Sequence, residues 1–453
     1  MIKEEYYLYK FIEANELDIN AFNKNNSKGH IFQTSYWADL KKDWSHKFIM
    51  GYDENNEVVL SATIILRKAP YINTYMGYIP RGFVCDYSNN QLLIDFTEFL
   101  REFAKRNKIA FITVDPDIHL NENEIIVDNG LETKNFLKSI GYKNTDSKNF
   151  EGIQPNFVFR LPLETEGDKE KIKKATFKNF SSKTRYNIKV AEDRGLSVEV
   201  YDNSNLNEDV LTKFHDIMVT TGKRDNFIVR HREYFKDMIV DLDPYCRLYM
   251  IKYSYEKDAA RLNEKILKQQ SIREKALPRI DEFKAKIAEE TDEDKLHRLS
   301  KKLQEQENKV KESDRQIEGF KKKLTEIEPF KGQEIYLSGS IYLYYGNKAW
   351  YLYGASDNTL RDTMPNFLMQ WAMIQDSIDL GCSIYDFRGV SGDLNPENPL
   401  YGLYKFKKGF NGNFVEFIGE FDLVVNPLIY NLYKKAFPKF KEVRNKIMNK
   451  RQK

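Results

Sequence analysis

Residues 255–328 read YEKDAARLNEKILKQQSIREKALPRIDEFKAKIAEETDEDKLHRLSKKLQEQENKVKESDRQIEGFKKKLTEIE. Seam positions recur at alternating spacings of three and four. They are Ala259, Leu262, Ile266, Gln269, Arg273, Ala276, Ile280, Phe283 and Ile287. After Glu289-Glu290-Thr291-Asp292 the beat resumes with Leu296, Leu299, Leu303, Gln306, Val310, Ser313, Ile317, Phe320, Leu324 and Ile327. This seven-residue beat is the a/d seam of a coiled coil. Two seams separated by a short polar break predict two helices folded back on each other, an arm that leaves the body and returns to it. At 1.5 Å per residue, helices of about 33 residues project ~50 Å. With the seams aligned antiparallel about the break, Gln269 and Arg273 face Ser313 and Val310, a weak polar layer. Pro278 removes a ladder bond and is expected to kink the first helix. The arm carries 19 Lys/Arg against 18 Asp/Glu, so bulk charge does not make it an RNA clamp. A solvated hairpin and a holder of a large partner are both consistent with it.

On either side of the arm the sequence alternates strands and helices. The run 246–252 is a strand leading straight into the arm. Residues 335–345 and 348–354 pair as a hairpin through Gly346-Asn347. The arm is therefore inserted between strands of one domain. Upstream, residues 31–42 suit a short helix capped by Thr34 or Ser35. Strands are expected at 58–66, 109–114 and 156–163, and helices at 92–106 and 136–140. A second round gives a basic helix at 180–193, a strand at 196–201, helices at 210–221 and 231–242, then a helix at 365–380 and a strand at 383–387. The same order of elements appears twice, which points to an internal duplication and an α/β (α+β) body.

Without the arm about 380 of the 453 residues remain, enough for two ordinary domains. The net charge of +3 argues against wholesale nucleic-acid coating. Three scattered cysteines, Cys85, Cys246 and Cys382, exclude a disulfide framework and fit a reducing cytoplasm. There is no apolar signal region and no run long enough to span a membrane. Residues 434–453 hold nine Lys/Arg against Glu442 alone. That is a patch for anionic lipid or RNA phosphate, or a solvated terminal helix.

Eight short motifs occur in order: Phe32-Gln33-Thr34-Ser35-x-Trp37-x-x-x-Lys41, Ile79-Pro80-Arg81-Gly82, Val114-Asp115-Pro116, Gln154-Pro155-Asn156, Arg185-Tyr186-Asn187-Ile188-x-x-Ala191, Tyr353-Gly354-Ala355-Ser356, Tyr385-Asp386-Phe387-x-Gly389 and Lys405-Phe406-Lys407-x-Gly409-Phe410. With the arm inserted before the Tyr353 segment, the chain closely resembles the FemABX family of peptidoglycan aminoacyltransferases over nearly its whole length. One departure is Phe83, where family members commonly have proline after Arg-Gly. The resemblance implies two tandem domains of the GCN5-related acetyltransferase type with an inserted antiparallel coiled-coil arm. It divides the chain into 1–154 completed by 418–453, 155–254 with 330–417, and the arm at 255–329. It implies transfer of glycine, alanine or serine from aminoacyl-tRNA to the peptide stem of a lipid-linked muropeptide precursor, met at the inner membrane face by a cytoplasmic enzyme.

That chemistry, aminolysis of an ester, needs a free amine, a stabilised oxyanion and proton removal. It needs neither metal nor cofactor. Lys407 is the candidate for a fixed positive charge at the oxyanion, although Lys405, Lys407 and Lys408 also read as a solvated basic loop. Asp115 is the candidate to take a proton or orient the amine, although Asp-Pro is also a plain strand terminator. By resemblance Lys41, Arg81, Arg230, Tyr234 and Tyr353 are expected to contact the acceptor's phosphates, carboxylates and sugars. For Lys41 the alternative is a helix C-terminal cation, and for Tyr234 and Tyr353 core packing. Arg230 and Tyr234, four apart at a helix start, project from one face. The Gly-rich pyrophosphate loop of CoA-dependent acetyltransferases is missing. In its place the basic helix offers Lys178, Lys183, Arg185, Lys189 and Arg194, of which Lys183, Arg185 and Lys189 are candidate tRNA contacts. Two other functions remain: an N-acyltransferase of the same fold using another donor, and a non-catalytic scaffold at the membrane.

Overall fold

The computed structural model describes residues 8–69, 72–145 and 152–434. The basic tail beyond Lys434 lies outside the described residues. Two mixed sheets carry the body. The first is a path of strands Lys10–Glu13, Ser45–Tyr52, Val58–Lys68, Tyr75–Ile79, Ile109–Val114, Glu420–Val424 and Tyr142–Thr145. The second runs Leu196–Tyr201, Cys246–Tyr253, Ile335–Tyr345, Lys348–Ser356, Ile384–Gly389, Phe157–Pro162 and Asn413–Phe417, and ends in a ribbon of His119–Glu122 and Ile125–Ile126.

The two paths share a plan. In each, an antiparallel meander leads to a parallel pair joined by a crossover helix. In the first sheet Asn90–Arg106 connects Tyr75–Ile79 to Ile109–Val114; in the second Pro365–Asp379 connects Lys348–Ser356 to Ile384–Gly389. In each, the next strand is antiparallel and comes from far along the chain: Glu420–Val424 beside Ile109–Val114, and Phe157–Pro162 beside Ile384–Gly389. Crossover connections bury both faces of such strands, which is why Ile109–Val114 is buried at every position. The hairpin turn at Gly346 has φ +55, a left-handed conformation that glycine adopts without strain.

Local differences from the sequence reading have local causes. The segment 31–42 is a 3₁₀ turn, Ile31–Gln33, and a short helix, Ser35–Asp39, because Thr34 is extended and caps Trp37 N at 3.3 Å. The basic helix starts at Ser182, not Phe180. Phe180 is extended and closes a separate helix, Lys169–Asn179, and Ser181 caps the next one.

The arm is two 35-residue helices, Tyr255–Glu289 and Glu293–Ile327. The first stays helical through Pro278. The two helices pack on each other, and Leu262, Ile266, Ala276 and Ile280 of the first are buried. The mid-arm layer is polar as read: the Ser313 hydroxyl donates to Gln269 Oε1 at 3.2 Å, and Arg273 pairs with Asp314 at 2.8 Å.

The root of the arm is a buried ion cluster. Asp258 is fully buried and accepts from Arg194 Nε at 3.0 Å, Arg261 Nη2 at 2.6 Å and the Tyr253 hydroxyl at 3.1 Å. Arg194 also reaches Asp362 at 2.9 Å. Arg194 is therefore a joint between body and arm and not a phosphate contact. Removing one partner of a buried ion cluster strands the others. Asp258→Ala is expected to lower stability by about 3–5 kcal/mol, read as a drop in melting temperature and as faster amide exchange around the arm root.

Candidate active site

The site begins where parallel strands end. Val114 leads into Asp115, whose carboxylate accepts from Arg81 N at 2.7 Å and from the Tyr78 hydroxyl at 3.1 Å. Burial raises the Asp115 carboxyl to about 7, against the pull of Arg81. Arg81 sits at φ +51 and is itself buried. Its Nη2 donates to Pro155 O at 2.6 Å, and its guanidinium lies 4.1 Å from the Phe417 ring. The loop is fixed from behind by Gln33, which donates to Pro80 O at 2.8 Å and accepts from Thr63 N at 2.9 Å. A Cβ at Gly82 would lie 2.5 Å from the end of the Gln33 side chain, so any other residue there must displace Gln33 from these bonds. Phe83 points away into the first core, stacked on Tyr87 and edge-on to Phe96. The departure at this position is thus an apolar packing choice outside the polar loop.

In the second sheet the parallel register runs from Lys348–Ile384 to Trp350–Asp386 and stops. Beyond it lies Arg388, at φ +61, with its amide donating to Asp386 Oδ1 at 2.6 Å. The carbonyls of Arg388 and Gly389 take bonds from Lys407 Nζ at 3.1 and 2.7 Å. Lys407 lies on the helix Tyr401–Lys408 and is 3% exposed. It is not part of a solvated basic loop: only its neighbours Lys405 and Lys408 are exposed. Burial lowers the Lys407 ammonium to about 7, with Asp386 opposing and Arg388 adding to the shift.

A third group gathers around Lys41. Lys41 Nζ donates to the Tyr234 hydroxyl at 2.6 Å and sits 3.9 Å over the Trp37 ring. Arg230 lies 5.2 Å over the Tyr234 ring, and Tyr353 packs with Phe235 at 5.4 Å. Arg230 precedes the helix Arg232–Asp241, yet it still shares a face with Tyr234. Burial, then Arg230, lowers Lys41 to about 7. Burial, then Tyr353, pushes the Tyr234 phenol up. An anion placed here restores the charge of Lys41 and gains two cations at once.

The groups are joined by stacked side chains. Arg388 lies 5.5 Å over Phe32, and Phe32 packs on Trp37 at 4.1 Å, directly beneath Lys41. Gln154 accepts from Arg388 Nη2, tying the second group back to the loop that follows the first sheet. The structure therefore assembles Lys41, Arg230, Tyr234 and Tyr353 into one cluster, and connects it through Phe32 and Arg388 to Lys407. Arg81 is held by Asp115, Pro155 and Phe417. Arg185 caps the preceding helix, donating to Lys178 O at 2.7 Å and to Phe180 O. Lys183 and Lys189 are exposed on the outer face, although their helix starts against Gly409, whose carbonyl accepts from Ser181 N at 2.9 Å.

Sequence reading assigned no role to Asp386, Arg388, Asp117, Arg160 or Lys348. Arg160 bridges Asp117 at 2.7 Å and Asp386 at 3.0 Å, and Lys348 meets Asp117 at 3.2 Å. These buried pairs join the two sheets beneath the site. Asp386 is named in a quoted motif, which was its only signal; Arg388 falls on the unspecified position of that motif and had none.

A polar, cation-rich site lies at the ends of parallel strands on two sheets of one plan, and sequence relationship gives the family. The chain belongs to the FemAB family, whose model matches residues 13–437. It is 30% identical over 446 residues to the lipid II:glycine glycyltransferase of Staphylococcus aureus (strain MRSA252), covering 95% of this chain and 96% of that protein. It is 31% identical over 441 residues to the lipid II:glycine glycyltransferase of Staphylococcus epidermidis (strain ATCC 12228 / FDA PCI 1200), with the same coverage. Its structure is similar to the crystal structure of FemX, with a TM-score of 0.69 and 29% identity over 93% of this chain and 99% of that one.

Proposed function

We propose that this protein is a tRNA-dependent aminoacyltransferase that adds an amino acid to the peptide stem of a lipid-linked peptidoglycan precursor. The observation that carries the reading is the full-length similarity to relatives named lipid II:glycine glycyltransferase. Glycine is therefore the first donor to test, with alanine and serine next.

In this reading the acceptor amine attacks the ester carbonyl of the aminoacyl-tRNA. A C–N bond forms, the C–O bond breaks, and the ribose hydroxyl leaves with the proton lost by the amine. Lys407, fixed by two carbonyls, faces the developing oxyanion and stabilises it without reorganising. Asp115, raised to about 7, is matched to taking the amine proton near neutrality. Lys41 and Arg230 hold the acceptor's phosphate or carboxylate oxygens, and Tyr234 and Tyr353 add hydroxyls and apolar faces. Lys41→Met is expected to raise KM for the acceptor about tenfold or more while kcat holds, because it removes binding shared by ground and transition states; initial rates against acceptor concentration read this. The arm, whose root is fixed by Asp258, serves the bulky donor through shape and a few side chains, since its charge is nearly balanced.

Mass spectrometry of muropeptides from cells with and without the protein tests the function. The expected result is loss of one bridge residue from the stem when the protein is removed. Unchanged stems would refute the reading.

A further inference from the structure

The helix that follows strand Glu420–Val424 has two faces. Ile429, Tyr430 and Tyr433 pack on Met76, Ala110 and Phe111. Opposite them, Leu428 is 83% exposed and Leu432 64%, one helical turn apart. Placing two leucines in water on one ridge is unfavourable unless the ridge meets an apolar phase. The surroundings are basic. Lys143 lies 5.0 Å over the Tyr430 ring; Lys434, 5.5 Å over it, is paired with the buried Asp422 at 2.7 Å. Arg67 is close enough to Tyr433 to oppose the burial-driven rise of its phenol. The rim continues across the sheet end. Asn426 N donates to Ala110 O at 2.7 Å, and the Thr74 hydroxyl donates to Lys108 O at 2.7 Å, which brings exposed Ile72 and Lys108 to the same end.

The sequence that follows adds to the charge. Nine Lys/Arg stand against one acid from 434 to 453. Exposed leucines beside a basic segment are the composition of an interfacial membrane contact. Among the described residues no helix is long and apolar enough to cross a membrane.

We infer that Leu428 and Leu432, with Ile72 and the surrounding Arg67, Lys108 and Lys143, form a docking surface for an anionic lipid bilayer. The leucines enter the acyl boundary and the cations meet the headgroup phosphates. The surface lies at the start of strand Ile109–Val114, and Asp115 lies at its end, roughly 20 Å away at the strand rise. Docking there leaves the active site open and holds it at a fixed height above the membrane. The inference stands apart from the transfer reaction, since its test uses no substrate.

The test is co-sedimentation of the full chain with vesicles of phosphatidylcholine alone or mixed with phosphatidylglycerol. Binding to the mixed vesicles only, weakened by added salt, is expected. Changing Leu428→Ser and Leu432→Ser together is expected to weaken it about tenfold or more with the melting temperature unchanged. Lack of binding to either vesicle overturns the inference, as does equal binding of wild type and the double variant or equal binding to both vesicles. Retention of tRNA through these cations, unaffected by the leucine changes and without vesicle binding, overturns it in favour of an RNA surface.

Discussion

Lys407→Met lowers kcat by about 10²–10³-fold with both KM values nearly unchanged and the fold intact. The magnitude follows from what the side chain does. Its Nζ is held by the Arg388 and Gly389 carbonyls, so it enters the reaction already oriented. Loss of such a preorganised charge is felt where negative charge develops and little in the ground state. The fold survives because two opposing effects are of similar size. Methionine leaves two carbonyls without that donor, but it also removes a buried cation that burial already disfavours. Asp386 stays paired with Arg160 and with the Arg388 amide. The pH profile separates this role from a structural one. Lys407 must be charged to act, and burial has lowered it to about 7. Wild-type kcat therefore falls as pH rises through that region, and Lys407→Met lacks that alkaline limb.

Asp115→Asn is expected to lower kcat by about 10²–10⁴-fold, and to abolish the acidic limb near pH 7, because the amide cannot take a proton. Its oxygen can still accept from Arg81 N, so the loop is retained. This variant also carries a stability signature. The folded pKa of Asp115 is raised from 3.8 to about 7, chiefly by burial. The folded state thus binds a proton more tightly than the unfolded chain. Stability from this group is fully present below pH 3.8 and is lost as pH rises through about 7. At pH 8 the wild type holds a buried carboxylate that asparagine replaces with a neutral group. Asp115→Asn is therefore expected to melt above the wild type at pH 8, with the gain shrinking toward pH 4. A calorimetric series across that range reads it. A residue whose replacement stabilises the fold while removing turnover is kept for chemistry.

The arm was legible because its signal is local. A heptad seam needs only its own residues, and even the polar layer at Gln269 and Ser313 falls where the register puts it. The hairpin at Gly346 was legible for the same reason. The motif residues around Lys41 and Tyr234 could be named from resemblance, but their contact could not be derived, since 193 positions separate them. Arg194 was misread because its partner, Asp258, lies 64 residues away across the joint, so a buried ion pair looked like one more cation on a basic helix. The same blindness hid Arg160, Asp117 and Lys348. Charges that tertiary closure buries and pairs carry no local signature, because sequence reading assumes that charged residues stay in water. Lys407 was named by resemblance, with a solvated loop left open as the alternative. Flanking lysines suggested solvent, and only the packing of its helix showed that it points inward.

The central claim is that the acyl donor is a charged tRNA and the acceptor a lipid-linked muropeptide. The most direct test is a donor comparison with purified full-length protein and lipid II. Glycyl-, alanyl- and seryl-tRNA are supplied one at a time, with the corresponding CoA thioesters in parallel, and the product mass is read. The account predicts that at least one aminoacyl-tRNA lengthens the peptide stem by one residue and that no thioester does. Transfer from a thioester with none from any charged tRNA would contradict it.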